Sequence, residues 1–289
     1  MKITEKNKGI LLILLSAFCF GLMGAFVRLA GDVPTIQKSF FRNIVALVVA
    51  LGVLFREKRG IRPSDSKNIP MLLARSFFGT VGILANFYAV DHLMLSDASM
   101  LNKLSPFFAV IASYFLLKEK ISLPQVLTLA GAFLGALLII KPSFANLSLI
   151  PSLIGLAGGM CAGIAYTYVR KLGLHGERGP VIVFCFSSFS CLVALPFVLF
   201  DYSPMTLSQF LCLMGAGLAA TGGQFSITAA YCHAPAREIS VYDYSQVIFT
   251  AIMGFFLFGD VPDLLSILGY ILICGMAVVN FQYNNRKTA

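Results

Sequence analysis

Charge is what this sequence has least of. Of its 289 residues, 12% are Asp, Glu, Lys or Arg, where a soluble domain carries roughly a quarter. Tryptophan is absent, and histidine occurs only at His92, His175 and His233. The seven cysteines form no CxxC pair and no Cys/His cluster at zinc spacing, so they read as small apolar packing residues. There is no GxxxxGK[ST] phosphate loop and no HExxH. These absences exclude a soluble globular fold, a zinc site, direct use of ATP and a metalloprotease. No metal, catalytic residue or cofactor is expected.

What is present is hydrophobic sequence in long runs. Apolar residues make up 58% of the chain, with a mean hydropathy of +0.84. Ten runs approach the roughly 20 residues of helix that cross a bilayer core of about 30 Å: 8–30, 35–55, 69–90, 97–117, 124–140, 148–169, 180–200, 207–231, 238–258 and 264–283. Lipid offers no partner to a backbone N–H or C=O, so each run is predicted to be helical. The fold class is an all-α membrane protein of ten transmembrane helices. Lys2, Lys6 and Lys8 ahead of the first run resemble the start of a signal peptide. That run continues almost to Ala30, however, and reads as a retained first span.

The net charge of +9 sits mostly in short loops. With the N-terminus in the cytoplasm, Lys8, Arg56, Arg62, Lys118, Lys120, Arg170, Arg178, Arg237 and Arg286 all fall inside. The outer side has Lys141, with Arg28 and Lys38 at span edges. The positive-inside rule then places both termini in the cytoplasm and the chain in the cytoplasmic membrane. No basic face is interleaved with aromatics, which argues against nucleic acid as a partner. The expected partners are the bilayer and a small-molecule substrate, with the chain as a monomer or a homodimer.

The second half repeats the first. Gly21 to Arg28 align with Gly163 to Arg170 at an offset of 142, and Thr80 and Gly82 with Thr221 and Gly223 at 141. His92 meets His233, Ser99 meets Ser240 and Glu119 meets Asp260. This gives two five-helix units, 1–142 and 147–284. Five is odd, so the units must enter the membrane in opposite senses, as two inverted repeats around a central cavity. Two such halves can exchange conformations and open one site to each side in turn.

Two segments are specific enough to carry a resemblance. Leu95 to Ile121, LSDASMLNKLSPFFAVIASYFLLKEKI, resembles the fourth helix of the EamA-type branch of the drug/metabolite transporter superfamily. Ser245 to Pro262, SQVIFTAIMGFFLFGDVP, is similar to that family's ninth helix. The resemblance covers both halves. Asp260 stands where the family usually has Glu, Val247 where a proline is expected opposite Pro106, and Phe20 where a Trp is common. The resemblance implies a cavity lined mainly by spans 3, 4, 8 and 9, with parts of 1, 2, 6 and 7, and spans 5 and 10 as peripheral support. It does not imply one substrate.

A charge at the centre of a spanning helix costs at least about 2.5–3.5 kcal/mol, so Arg42, Arg75, Lys103 and Asp243 are the first candidates. At about 1.5 Å per residue, Arg42 and Lys103 are expected at one level near the outer side. Arg75 and Asp243 are then at another near the inner side, as a charge pair or coupling unit. An interior that keeps a positive charge favours an amino acid or another carboxylate-bearing or anionic substrate. The bland alternative is that these long side chains snorkel to the interface. Asn86, Tyr88, Asn102, Tyr166, Tyr168, Gln224, Tyr242 and Tyr244 add polar and aromatic groups on the same spans. They can meet a substrate or simply each other. His92 and His233 are placed at opposite ends as interfacial residues. Gly155, Gly159 and Gly163 on span 6, with Ala17, Gly21 and Ala25 on span 1, have the small-residue spacing that lets helices approach closely, which suggests packing or a moving contact between those two spans. Pro106 is expected to kink span 4 beside Lys103. Asp243 is the candidate proton carrier.

The reading is a secondary transporter moving a small polar metabolite by alternating access. The alternatives are an intramembrane lipid-modifying enzyme, for which the histidines and acids are too scattered, and a channel.

Overall fold

The computed structural model describes residues 5–57, 60–116, 118, 122–140, 148–233 and 240–286. Glu119, Lys120, Lys141 and Arg237, used in the repeat and orientation arguments, lie outside these residues, as does the side chain of His233.

Among the described residues there is no strand. The α-helices are α1 (Glu5–Leu29), α2 (Thr35–Glu57), α3 (Ile69–His92), α4 (Leu95–Asn102), α5 (Ser105–Leu116), α6 (Leu123–Ile140), α7 (Leu149–Leu174), α8 (Gly179–Phe200), α9 (Leu207–His233), α10 (Ser245–Phe258) and α11 (Leu264–Arg286). Two 3₁₀ turns, Ser66–Asn68 and Ser240–Tyr244, precede α3 and α10. Seven of the helices are long and apolar enough to cross a membrane, and the stretches Val126–Ile140 and Tyr242–Phe258 are shorter apolar helices.

Local chemistry sets the boundaries. Prolines 70 and 180 sit in the first turns of α3 and α8, where a missing N–H costs no helical hydrogen bond. The Asp65 side chain accepts from the Lys67 N–H at 2.9 Å and starts the turn before α3. The predicted spans 97–117 and 238–258 are each broken. Pro106 cannot bond the carbonyl of Asn102, and its ring crowds that oxygen. The chain therefore leaves helical geometry at Lys103 and Leu104, where Leu104 N–H reaches back only three residues, to Leu101 O at 3.3 Å. The second break has no proline, since Val247 occupies the matching place. There the chain enters as a 3₁₀ turn through Asp243 and turns α-helical at Ser245.

Packing brings α1 against α9 and α10, α3 against α7 and α8, and α2 against α8 and α9. Helix α7 also holds α4 and α5, α4 meets α10, and α6 pairs with α11. The glycine stripe of α7 faces the break in span 4. A Cβ at Gly159 would stand 2.6 Å from Leu101 O, and one at Gly163 2.5 Å from Ser105 O. Gly21 on α1 instead faces Phe249 and Thr250 of α10. The expected contact between spans 1 and 6 through these residues is therefore corrected. Gly159 and Gly163 let the backbone of the broken fourth span approach α7 more closely than any side chain would allow, whereas Gly21 meets side chains of α10 at ordinary contact distance.

The outward-facing surface is apolar, and several charged side chains are buried within a largely apolar interior. Phe55, Phe115, Phe200 and Phe256 are among the most exposed side chains, while Lys38, Arg42, Asn43, Arg75 and Lys103 are buried. An apolar surface suits lipid, whereas buried charges need partners or a cavity.

Candidate functional site

Arg42, Arg75 and Lys103 converge on one cavity with about 690 Å³ of empty space, counting the open solvent at its mouth. Helices α1 and α2 supply Phe20, Met23 and Arg42. Helix α3 supplies Arg75, Gly79, Ile83 and Asn86. The break after α4 supplies Asn102 and Lys103, and Tyr166, Phe186, Gln224 and Gln246 close the wall from α7 to α10.

Arg42 and Arg75 meet at the ring of Phe186. The guanidinium carbon of Arg75 stands 3.8 Å from the ring centroid and that of Arg42 5.7 Å, both within cation–π range. Arg42 donates through Nη1 to Asn43 Oδ1 at 2.7 Å. Among the described residues, Arg42 Nε, Arg75 Nε and Arg75 Nη1 have no hydrogen-bond partner. Arg75 can fold onto Phe186 because residue 79 has no side chain: a Cβ there would lie 2.6 Å from Arg75 Nη1 and 2.9 Å from the Phe186 ring.

Lys103 pairs with Asp243, Nζ to Oδ2 at 2.5 Å, and both residues are buried. The pair joins the two broken spans. The Tyr244 hydroxyl reinforces it by donating to the Lys103 carbonyl at 3.0 Å, an oxygen exposed by the interruption after α4. Tyr166 lies within electrostatic reach of Asp243, Arg75 and Arg42.

This geometry corrects the expected layers. Asp243 pairs with Lys103 rather than Arg75, and Arg75 belongs with Arg42. Counting depth along the chain treats helices as upright rods. Asp243 lies in a 3₁₀ turn, which rises about 2.0 Å per residue against 1.5 Å in an α-helix, and arginine side chains reach across levels.

Arg42, Asn86, Asn102, Lys103, Tyr166 and Gln224 line the cavity, and Asp243 borders it through Lys103. Tyr88 does not line it, and stacks on His92 with ring centroids 4.1 Å apart. Tyr242 is also outside the lining and is exposed. Phe186, Gln246 and the Tyr244–Lys103 bond were not foreseen. Phe186 is one of 26 phenylalanines, and nothing in the sequence distinguishes it. Gln246, an amide within an apolar run, was a legible signal.

Other polar ties lie toward the ends. Arg28 and Asp260 form a two-armed ion pair, with Nη2 to Oδ1 at 3.1 Å. Asp260 Oδ2 also accepts the Leu95 N–H at 3.1 Å, so one carboxylate links α1, α4 and the end of α10. Lys38 pairs with Asp91 at 2.6 Å. At the α7–α8 connection, Glu177 accepts from the Ser64 N–H and hydroxyl, Asn68 and the Arg178 N–H. Burial alone pushes the Glu177 carboxyl up, but these donors outweigh it and hold the carboxyl below its ordinary range. No three His, Cys, Asp or Glu side chains among the described residues are grouped to hold a metal.

A sequence model described as the EamA-like transporter family matches residues 7–141 and 149–281. The "Pseudopaline exporter CntI" of Pseudomonas aeruginosa is 33% identical over 92% of this chain and 93% of its own. A "Riboflavin transporter" of Vibrio cholerae is 27% identical over 97% and 95%. A solved crystal structure aligns over 98% of this chain and 99% of that one with a TM-score of 0.65 at 18% identity, a likeness of fold. The relatives are named as transporters, which sets aside the lipid-modifying enzyme.

Proposed function

Because this chain belongs to the EamA-like transporter family, we propose that it carries a small carboxylate-bearing or otherwise anionic metabolite across the cytoplasmic membrane by alternating access. The two units are residues 1–142 and 147–284, inverted five-helix repeats that make ten spans when α4 with α5, and the 240–244 turn with α10, each count as one.

The pairing of elements supports this arrangement. At an offset of about 141 residues α1 corresponds to α7, α2 to α8, α3 to α9 and α6 to α11. Exchanging the halves converts the α1–α9 contact into α7–α3 and the α5–α7 contact into α10–α1, and returns α2–α8 and α6–α11 to themselves. The basic loops favour cytoplasmic termini.

One observation carries the substrate class: among the described residues no carboxylate is bonded to Arg42 or Arg75, which share a cavity wall, while the neighbouring Asp243 is already taken by Lys103. A buried guanidinium without a counter-ion is costly, and an anionic solute supplies that counter-ion. The relatives named above carry different cargoes, so the class is taken from the charge and not from the names.

The test is a thermal-shift screen of the purified protein against carboxylates, phosphate esters and amines, followed by counterflow in phosphatidylethanolamine/phosphatidylglycerol vesicles. Anions should stabilise the protein and exchange saturably, and Arg42→Ala and Arg75→Ala should each lose both effects. Stabilisation by amines alone would overturn the substrate class. Non-saturable flux without counterflow would make the protein a channel.

A further inference from the structure

Lys103 has two suitors: it lines the cavity and is also bonded to Asp243. A substrate carboxylate that reaches Lys103 must displace Asp243, and a displaced carboxylate in a buried site keeps its charge only at a large desolvation cost. Asp243 has already lost part of its solvation. Among the described residues its buried Oδ1 accepts no hydrogen bond, so the carboxylate is met by Lys103 at Oδ2 alone.

We propose that Asp243 is a proton-binding site, and that a proton on it releases Lys103 to hold a substrate carboxylate, so that proton and anion travel together. This rests on the anionic-substrate reading above. Before loading, Asp243 carboxylate pairs with Lys103 ammonium. A proton from water adds to the Asp243 carboxylate and gives the neutral acid. Lys103 stays an ammonium and takes the incoming carboxylate, joined by Arg42 and Arg75. When the substrate leaves, the acid returns its proton to water and the original pair reforms. The carrier regains its starting charge, with one proton moved per anionic group held at Lys103.

The neighbourhood suits this exchange. Titratable or charged groups facing the pair are Tyr166 from α7, Arg42 from α2 and Arg75 from α3. Tyr244, beside Asp243, is committed to the Lys103 carbonyl. On α1, Arg28 is held by Asp260 and Cys19 lies against Gly222 of α9. On α11, Tyr270 is bonded to Asp97 and Ser96. Among the described residues Asp243 is thus the carboxylate placed to answer to a ligand at Lys103. The site also lies where both spans are interrupted, so breaking the pair loosens a contact between the two halves of the chain.

The experiment uses the full chain in lipid nanodiscs and sodium citrate as the anionic probe, with infrared difference spectra recorded through an acid titration. The wild type should show a protonated-carboxyl band that grows as pH falls and is missing in Asp243→Asn. Citrate should move its midpoint to higher pH. Citrate affinity should rise by about tenfold per pH unit on acidification, the slope for one linked proton, and should lose that dependence in Asp243→Asn. Asp243→Glu keeps a carboxyl and should keep a pH dependence, which separates loss of the proton site from loss of folding. A wild-type band unchanged in Asp243→Asn, a midpoint indifferent to citrate, or citrate binding that strengthens as pH rises would each overturn the proposal. If Arg42→Ala and Arg75→Ala abolish citrate binding while Asp243→Asn keeps the wild-type profile, the anionic reading stands and the proton site falls. If citrate binds no variant, the anionic reading fails on its own and the proposal built on it falls with it.

Discussion

Lys103 and Tyr244 are 141 residues apart, the spacing of the proposed repeat, and the Tyr244 hydroxyl bonds the Lys103 carbonyl at 3.0 Å. Each residue stands at the interruption of its own span, so in the proposed repeat equivalent points of the two halves touch. Tyr244→Phe leaves a buried carbonyl without its donor, which costs about 1–3 kcal/mol. The variant should melt at a lower temperature than the wild type in detergent. Because the broken ends of the spans are then less firmly joined, solute exchange in vesicles should slow.

Gly79 is the unobtrusive support of the proposed anion site. Gly79→Ala drives a methyl into Arg75 Nη1 and the Phe186 ring. Losing one charge-assisted contact is worth about 1.5–3 kcal/mol, so anion affinity should weaken by about tenfold or more with the fold intact. Calorimetric titration beside Arg75→Ala checks this, and affinity equal to wild type would remove Gly79 from the site.

Gly163→Ala tests the seam between α7 and the broken fourth span. Its new methyl would meet Ser105 O, the Ala109 backbone and Phe108 Cβ. Backbone cannot swing aside as a flexible side chain does, so overpacking should cost about 1–3 kcal/mol or more. A reduced melting temperature is the readout. Ala17→Gly, a change elsewhere in the small-residue pattern, serves for comparison.

Asp260 ties three elements together at one end of the molecule. Asp260→Ala removes the partner of Arg28 and the acceptor for the Leu95 N–H. A cysteine at Met23, in a variant lacking the native thiols, should then react faster with a membrane-impermeant thiol reagent added outside. An unchanged rate would show that this tie does not limit access from that side.

Glu177 predicts an acid limb in stability. Its carboxyl is held below the ordinary range in the folded protein, so its contribution is full above the unfolded glutamate pKa of about 4.3 and is lost as pH falls through the lower, folded value. Glu177→Gln should flatten that part of a melting-temperature profile between neutral and strongly acidic pH and leave the neutral baseline lower.

By itself the sequence determined the membrane fold, the family and the charged residues of the interior. Those follow from local properties: the length of an apolar run, the bias of Lys and Arg, the price in lipid of Arg42, Arg75, Lys103 or Asp243. An offset of about 141 residues suggested two halves, and Pro106 marked one interruption. Tertiary structure alone decided who meets whom. Asp243 bonds Lys103 and not Arg75, Phe186 takes both guanidiniums, and the α7 glycines face α4 and α5. Such choices depend on helix tilt, on a 3₁₀ turn that no proline announces, and on side-chain reach. All three arise when distant segments pack, and none is written in the spacing of residues along the chain.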